Sequence, residues 1–491
     1  MTTPEHEAAA KAQSLTPSSR RPELSLWDAA SLMIGIVVGT SLFVSPRLVF
    51  GNVPSVETGL LAWAAGGVLS TIGALLFAEL AVSFPRGGAY TYLTAAFGRA
   101  AGLVYGVALV TVMLTANIGA MAFVFAQYAR SMLPGDSRFD ADLMGLGPCL
   151  AAGAVLIFAV FNSGGLQTGR RTQNFLTAAK LLGLGLIVLA GMWARPLAEV
   201  DLDLQGADPA GTVEPQYALA MVIVLYAFGG WSDAATVAAE VQDRSKNIPR
   251  ALVGGLAGVT VIYLVVNFAY VNGLGFEGVR RSSLPALDVV TTAGWGTWTG
   301  KGVSLLVMIS ALGAVQGMLF SGSRAVAAMG ADHALFRGLG LWNERTHVPT
   351  RAVWTLALIS LAQIGLVGTE RGRDLVNQAL PAVRIAPVAW SNFENEFDVL
   401  VFGSAPTFWA LMLGVGAAFF VLRKKGLTPT EFRAPGGPIV PVIYLGTCGF
   451  MFWRATTFAG ALGLVGLVAC AAGAALAFAT RPRPTVSQQR S

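Results

Sequence analysis

The sequence predicts an all-α integral membrane protein with about twelve transmembrane helices. Three observations carry this. First, of 491 residues 54% are hydrophobic and only 12% charged, with mean hydropathy +0.62, whereas a soluble domain carries about 25% charge. Second, the apolar residues come in runs of roughly 20, the length that crosses a hydrocarbon core as a helix. Third, glycine contributes 58 residues, and glycine suits membrane helices that pack closely. This composition excludes disorder, a collagen-like chain and a disulfide-rich secreted domain. The net charge of +6 is spread along the chain. It fits membrane topology better than a phosphate-binding face, so no nucleic-acid partner is expected.

Residues 1–25 form a polar tail expected to be cytoplasmic, with no cleavable signal, because the first apolar run starts near Leu26 and is long. Spans are then expected near 28–50, 60–84, 98–132, 146–163, 173–193, 217–239, 250–274, 298–330, 352–368, 399–422, 438–457 and 459–479. The third and eighth runs exceed a perpendicular span, which implies tilt. A second tail covers 481–491. With both tails in the cytoplasm, inward segments hold about twice as many Lys and Arg as outward ones, the bias expected of a multi-pass protein of the cell membrane. The polar segments 134–145, 194–216 and 369–398 are then external, the last with a short surface helix. The basic stretch 242–252 reads as a cytoplasmic linker lying on anionic headgroups.

Two apolar runs are interrupted. The first contains Gly35, Gly39, Thr40 and Ser41, followed by Pro46. The sixth contains Gly229 and Gly230, followed by Ser232 and Asp233. The interruptions lie about 190 residues apart. Matched glycine-interrupted spans in two halves of a chain point to a transporter site. A helix broken inside hydrocarbon frees N–H and C=O groups that lipid cannot satisfy, so they must line a cavity and bind something. Freed N–H groups at a half-helix start suit a carboxylate, and freed carbonyls suit an ammonium. Together they fit the backbone of an α-amino acid. The alternative is that the glycines only let helices approach.

Other chemistry is sparse. Cys149, Cys448 and Cys470 lie in or beside apolar runs with no CxxC pair and read as small buried apolar residues. His6, His333 and His347 lie in the tail and one polar loop, so no metal centre is expected. No HExxH, GxSxG or GxxxxGK[ST] occurs and no paired aspartates lie inside an apolar run, which argues against an enzyme, an ATP-driven pump and any cofactor.

The stretches GTSLFVSP (39–46), FAELAVSFPRGGAYTYL (77–93), TAAKLLGLGLIVLAG (177–191) and YAFGGWSDAATVAAEVQDRSKNIPRAL (226–252) resemble the amino acid–polyamine–organocation superfamily. The closest likeness is to the L-type amino-acid transporters and their bacterial relatives. Weaker similarity runs from 313–330 to 431–445, so the resemblance covers about residues 25–480. It implies one transporter domain over 26–480 with a LeuT-type fold of two inverted five-helix repeats. These would span about 26–195 and 215–423, with two extra helices at 438–479. It also implies alternating access. Carried over, the substrate carboxylate would meet N–H groups around Gly39, Thr40 and Ser41, with the Thr40 hydroxyl helping. The ammonium would meet carbonyls of Val37, Tyr226 and Gly229, beside Gly230, and Tyr226 would close over the substrate from outside. Ser41 stands where the family usually has a second glycine, so the carboxylate pocket must accommodate a side chain.

Lys180 lies inside the fifth span. A charge there costs ~2.5–3.5 kcal/mol on insertion scales, unless it snorkels to the surface. The resemblance places it where sodium-coupled relatives bind a cation, bridging towards Gly35 and Ser310, which implies sodium independence. Asp233 is either a helix-start carboxylate or a counter-ion for a cationic side chain. Trp231 and Asn117 are further candidates near the site, Asn117 with Gln127 and Gln316 equally suited to holding helices together. Glu79 reads as an inner-gate or interhelical contact.

The sequence thus points to a secondary amino-acid transporter in the lipid bilayer, a permease, antiporter or proton symporter. The substrate expected is a neutral amino acid, because only Asp233 could face a cation and its carboxylate should already be satisfied by helix N–H groups. The alternatives are a cationic amino-acid or polyamine transporter, or a non-transporting sensor. A monomer or weak homo-oligomer is expected.

Overall fold

The computed structural model describes residues 24–85, 88–133, 145–164, 182–194, 216–234, 241–346, 348–428 and 431–479. Within them the chain is helical, with only isolated bridges at Leu24–Val241 and Asn343–Val348. Among the described residues, eight helices are long and apolar enough to cross a membrane, and four shorter apolar helices accompany them.

Helix α1 (Leu26–Val37) starts at a capping box in which the Ser25 hydroxyl accepts the Asp28 N–H and the Asp28 carboxylate accepts the Ser25 N–H. It stops because Val38 turns to ψ 85° and Gly39 is extended. A 3-10 turn (Thr40–Phe43) follows, then α2 (Ser45–Gly51) with Pro46 in its first turn, where its missing N–H does no harm. Helix α3 (Val56–Ser83) carries a row of small residues. A Cβ on Gly66 would meet Val224 at 2.2 Å, and one on Gly67 would meet Thr260 at 2.2 Å. These glycines serve close packing, which is the bland role considered for the interrupted spans.

Helix α4 (Gly88–Phe97) leads into α5 (Arg99–Arg130), which contains a π-helical turn at Leu109–Met113. That turn leaves the Thr111 carbonyl available to the side-chain amide of Gln363 at 2.9 Å. Helices α6 (Leu146–Ser163) and α7 (Leu182–Trp193) follow. Next come α8 (Tyr217–Ala227) and α9 (Trp231–Ala234).

Helix α10 (Arg244–Arg281) corrects the reading of 242–252. From Arg244 onward that stretch is the first turns of a helix, with Pro249 inside it, and not a linker. Proline within the first two turns removes a single intrahelical bond, so the helix survives. At Gly275 the backbone turns to φ +72° and bends the chain before Arg281. Then come α11 (Pro285–Thr292), α12 (Gly296–Asp332), α13 (Thr350–Gly368) and the surface helix α14 (Glu370–Ala379). The described residues end with α15 (Glu396–Lys424), α16 (Ile439–Ala459) and α17 (Ala461–Ala479). The short helix expected within 369–398 is therefore present.

Helix α10 packs on α1 and α3, α12 on α5, and α15 on α16. The polar groups inside the bundle meet each other. Asn162 and Gln316, on α6 and α12, exchange amide hydrogen bonds of 2.8 and 3.3 Å. Gln127 donates to the Ser283 carbonyl at 3.2 Å. Glu79 is fully buried and accepts from Arg423 Nε and NH2 and from the Ala434 N–H, tying α3 to both ends of the α15–α16 connection. Cysteine placement differs from expectation at two sites, since Cys470 is only half-buried. Cys448 is buried, but Cys149 is exposed, because it lies off the α6 face that carries Ala151, Ala154, Val155 and Phe158.

Candidate substrate site

Both interrupted spans are broken helices, and the two breaks abut. Gly230 holds φ +102°, a conformation that side-chain-bearing residues rarely adopt. A Cβ there would sit 3.0 Å from Ile36 Cγ2 and 3.4 Å from the Ile36 carbonyl oxygen. The turn that ends α8 is therefore pressed against the last turn of α1.

One side chain joins them. The Tyr263 hydroxyl, from α10, lies 2.9 Å from the Val37 carbonyl and 2.8 Å from the Ala227 carbonyl. Each is a carbonyl freed where its helix stops. A single hydroxyl proton is shared between two acceptors, so each oxygen keeps a lone pair for another donor. Tyr263 is itself held in a buried aromatic group. Its ring centroid is 4.8 Å from Phe228 and 5.4 Å from Trp63. A second tyrosine, Tyr128 on α5, donates to the Phe43 carbonyl at 3.3 Å and so serves the turn after the first break.

At the other edge of the site, Tyr226 donates to the Asn117 side-chain oxygen at 3.1 Å and packs edge-on against Phe397 at 6.1 Å. Asn117 thus holds the aromatic ring expected to cover substrate. The Tyr226 carbonyl accepts the Gly229 N–H at 2.9 Å. Trp231 opens α9 and stands edge-on to Phe77 at 5.0 Å. A small cavity adjoins Gly229, Gly230 and Trp231 and is closed by Ser70, Trp409 and Tyr444. No residue of the first break lines it.

Of the residues singled out from sequence, Val37, Gly39, Ser41, Tyr226, Gly229 and Gly230 lie at the two breaks, and Ser41 is buried. Thr40 begins the 3-10 turn, but its side chain lies outside the described residues. The backbone of Asp233 lies in α9, and its side chain is likewise outside them. Ser310 is buried on α12, while Lys180 lies outside the described residues. Sequence reasoning missed Tyr263, Tyr128 and Phe397. Each is one aromatic in an apolar run, and only the folding together of distant helices distinguishes it. Among the described residues no cluster of His, Cys, Asp or Glu suited to a metal ion occurs.

The chain was compared with known proteins. A sequence model of the family described as "Amino acid permease" matches residues 24–471. The human "b(0,+)-type amino acid transporter 1" is 28% identical over 369 residues, covering 73% of this chain and 73% of that protein. The "Serine/threonine exchanger SteT" of Bacillus subtilis (strain 168) is 29% identical over 310 residues, 63% of this chain and 68% of the relative. The rat (Rattus norvegicus) "Large neutral amino acids transporter small subunit 2" is 29% identical over 375 residues, 74% and 67%. With that match running over most of its length, the chain is a member of the amino acid permease family.

Proposed function

We propose that the protein is a sodium-independent secondary carrier of neutral amino acids that works by alternating access in a LeuT-type fold. The observation that carries this reading is the meeting of the two helix breaks, joined through Tyr263 to the carbonyls of Val37 and Ala227. The N–H groups around Gly39, Thr40 and Ser41 take the substrate carboxylate, at the start of a new helical turn. Carbonyls of Val37, Tyr226 and Gly229 take its ammonium, using the lone pairs left open by their present partners. Tyr226, steadied by Asn117, covers the site.

Neutral selectivity is supported by the lining. The described side chains that meet the breaks, Tyr263, Phe228, Tyr226 and Asn117, carry no charge. The names of two relatives, a serine/threonine exchanger and a large neutral amino acids transporter, agree with this. Exchange is the preferred mode by the first of those names. Lys180 supplies the charge that sodium would otherwise bring, and both termini face the cytoplasm by the distribution of Lys and Arg.

The test is uptake of a labelled amino-acid panel into proteoliposomes, with and without internal amino acid. Competition by arginine or ornithine ahead of alanine, serine and leucine, lost in Asp233→Asn, would replace the neutral assignment by a cationic one.

A further inference from the structure

Helix α5 changes partners part-way along. Its first part packs mainly on α17, whereas the part from Leu114 onward packs inside the bundle on α6, α12, α13 and α15. The change falls at the π-helical turn Leu109–Met113. A π turn takes in one residue more than an α turn, so it re-aims everything after it by about 100°. Asn117, about one turn further on, is the residue that accepts the Tyr226 hydroxyl at 3.1 Å. The aim of Asn117 at the ring expected to cover substrate therefore depends on where the π turn stands.

Such a turn leaves a carbonyl out of the regular ladder, and inside a membrane that carbonyl must find another donor. Helix α13 supplies it. The Gln363 side-chain amide donates to the Thr111 carbonyl at 2.9 Å and to Thr115 Oγ1 at 3.1 Å. Gln363 Oε1 has no hydrogen-bond partner, so both bonds that fix this side chain go to α5. The apolar part of the turn has little hold of its own. Met113 is buried with Ala108 and Leu411 in a small cluster separate from the main core. A tie between α13 and α5 could be made to any carbonyl, and Ser360 makes one to Thr115 at 3.3 Å. Gln363 makes its tie at the one turn of α5 that is not α-helical.

We propose that Gln363 is a positioning residue for substrate binding. By stapling the π turn it sets the register of the residues that follow, and so aims Asn117 at Tyr226. It acts through α5 and not on the substrate. Without the amide, the bare Thr111 carbonyl draws the turn back toward an α turn, and Asn117 rotates away from the Tyr226 hydroxyl. The ring then keeps only its packing on Phe397. The effect on affinity rests on the amino-acid carrier reading above, and the effect on the Asn117–Tyr226 contact does not.

The test places 3-fluorotyrosine at position 226 of the full chain in lipid nanodiscs. Its fluorine resonance reports the hydrogen bond made by the neighbouring hydroxyl, and binding of a labelled neutral amino acid to the same samples gives the affinity. Asn117→Ala sets the reference resonance for a broken contact. Gln363→Leu should move the resonance most of the way to that reference and weaken binding several-fold, with the maximal rate of exchange in proteoliposomes little changed. Combining the two substitutions should weaken binding no more than Asn117→Ala alone. Gln363→Glu, neutral inside the membrane and still a donor, should return both readouts toward wild type. Ser360→Ala removes a tie outside the π turn and should leave both near wild type. Thr115→Val frees one of the two amide contacts and should shift the resonance the same way by less. It decides the matter if Gln363→Leu does not fold. An unchanged resonance in Gln363→Leu and Thr115→Val, an equal shift in Ser360→Ala, or binding losses that add to those of Asn117→Ala overturn the assignment. If the resonance moves as expected but wild type neither binds nor carries an amino acid, the staple stands and the carrier reading fails.

Discussion

The hydroxyl of Tyr263 lies 2.9 Å from the carbonyl oxygen of Val37, the last residue of α1, and the same hydroxyl reaches Ala227 at the end of α8. Two helix ends about 190 residues apart in the chain are therefore served by one proton. Unsatisfied carbonyls at these ends would be costly in a buried site, so Tyr263 keeps both breaks open without a substrate present. Tyr263→Phe keeps the ring packing and removes the hydroxyl. The expected cost is about 1–3 kcal/mol of stability, with reduced uptake, read from the melting temperature and from labelled amino-acid transport.

Gly230 makes the sharpest backbone prediction. At φ +102°, with Ile36 only 3.0 Å from an added Cβ, Gly230→Ala should cost roughly 1–3 kcal/mol and abolish substrate binding. Gly254→Ala is the control, because its Cβ would meet nothing within 4 Å and its backbone is helical. That variant should bind and melt like wild type in a ligand-dependent thermal-shift assay.

Removing one partner of a buried ion pair costs far more than the pair contributes, because the other is left uncompensated. Arg423→Ala leaves the fully buried Glu79 carboxylate with only the Ala434 N–H and should therefore destabilise the protein by about 3–5 kcal/mol, a loss visible as a lower yield of monodisperse protein. Glu79→Ala should cost less, because the Arg423 left behind is 26% exposed and can be solvated.

Outside the spans, the Tyr90 hydroxyl donates to Asp332 at 2.9 Å and lies 3.2 Å from His333 Nε2. Partial burial, aided by Arg99 and opposed by Asp332, lowers the His333 pKa below its ordinary 6.5. The unfolded chain thus binds more protons than the folded one between that lowered value and 6.5. Stability should be constant above pH 6.5 and fall as pH drops through this window. His333→Gln should remove that part of the slope in pH-dependent melting, and a slope that persists unchanged would assign it elsewhere.

Replacing sodium by choline at fixed ionic strength should leave uptake unchanged, with Lys180→Ala lowering transport more than substrate binding. A steep sodium dependence in proteoliposomes would contradict the role given to Lys180.

Much of this architecture is legible in the sequence, since a span needs only length and apolarity and a break needs only glycine where a helix should continue. All twelve expected spans contain described helix, the first and sixth as broken pairs. The stretch after Gln242 was misleading because its charges resemble a loop, while Pro249 sits early enough for α10 to tolerate it. The two helix breaks were legible in the sequence, and the side chains that support them were not. Gly39, Gly229 and Gly230 announce themselves by conformation, but Tyr263, Tyr128 and Gln363 matter only through what distant helices bring to them. The fully buried Glu79 was readable as a contact between helices, though not its partner, which lies 344 residues along the chain.

The central claim is that the joined breaks form a carrier site for amino acids. Counterflow tests it most directly: proteoliposomes are loaded with unlabelled serine, alanine or leucine, and entry of the labelled amino acid is followed over time. The account predicts that internal amino acid accelerates labelled entry, and that Gly230→Ala abolishes the acceleration while Gly254→Ala preserves it. Saturable binding of the labelled amino acid with no entry under either loading condition would contradict it.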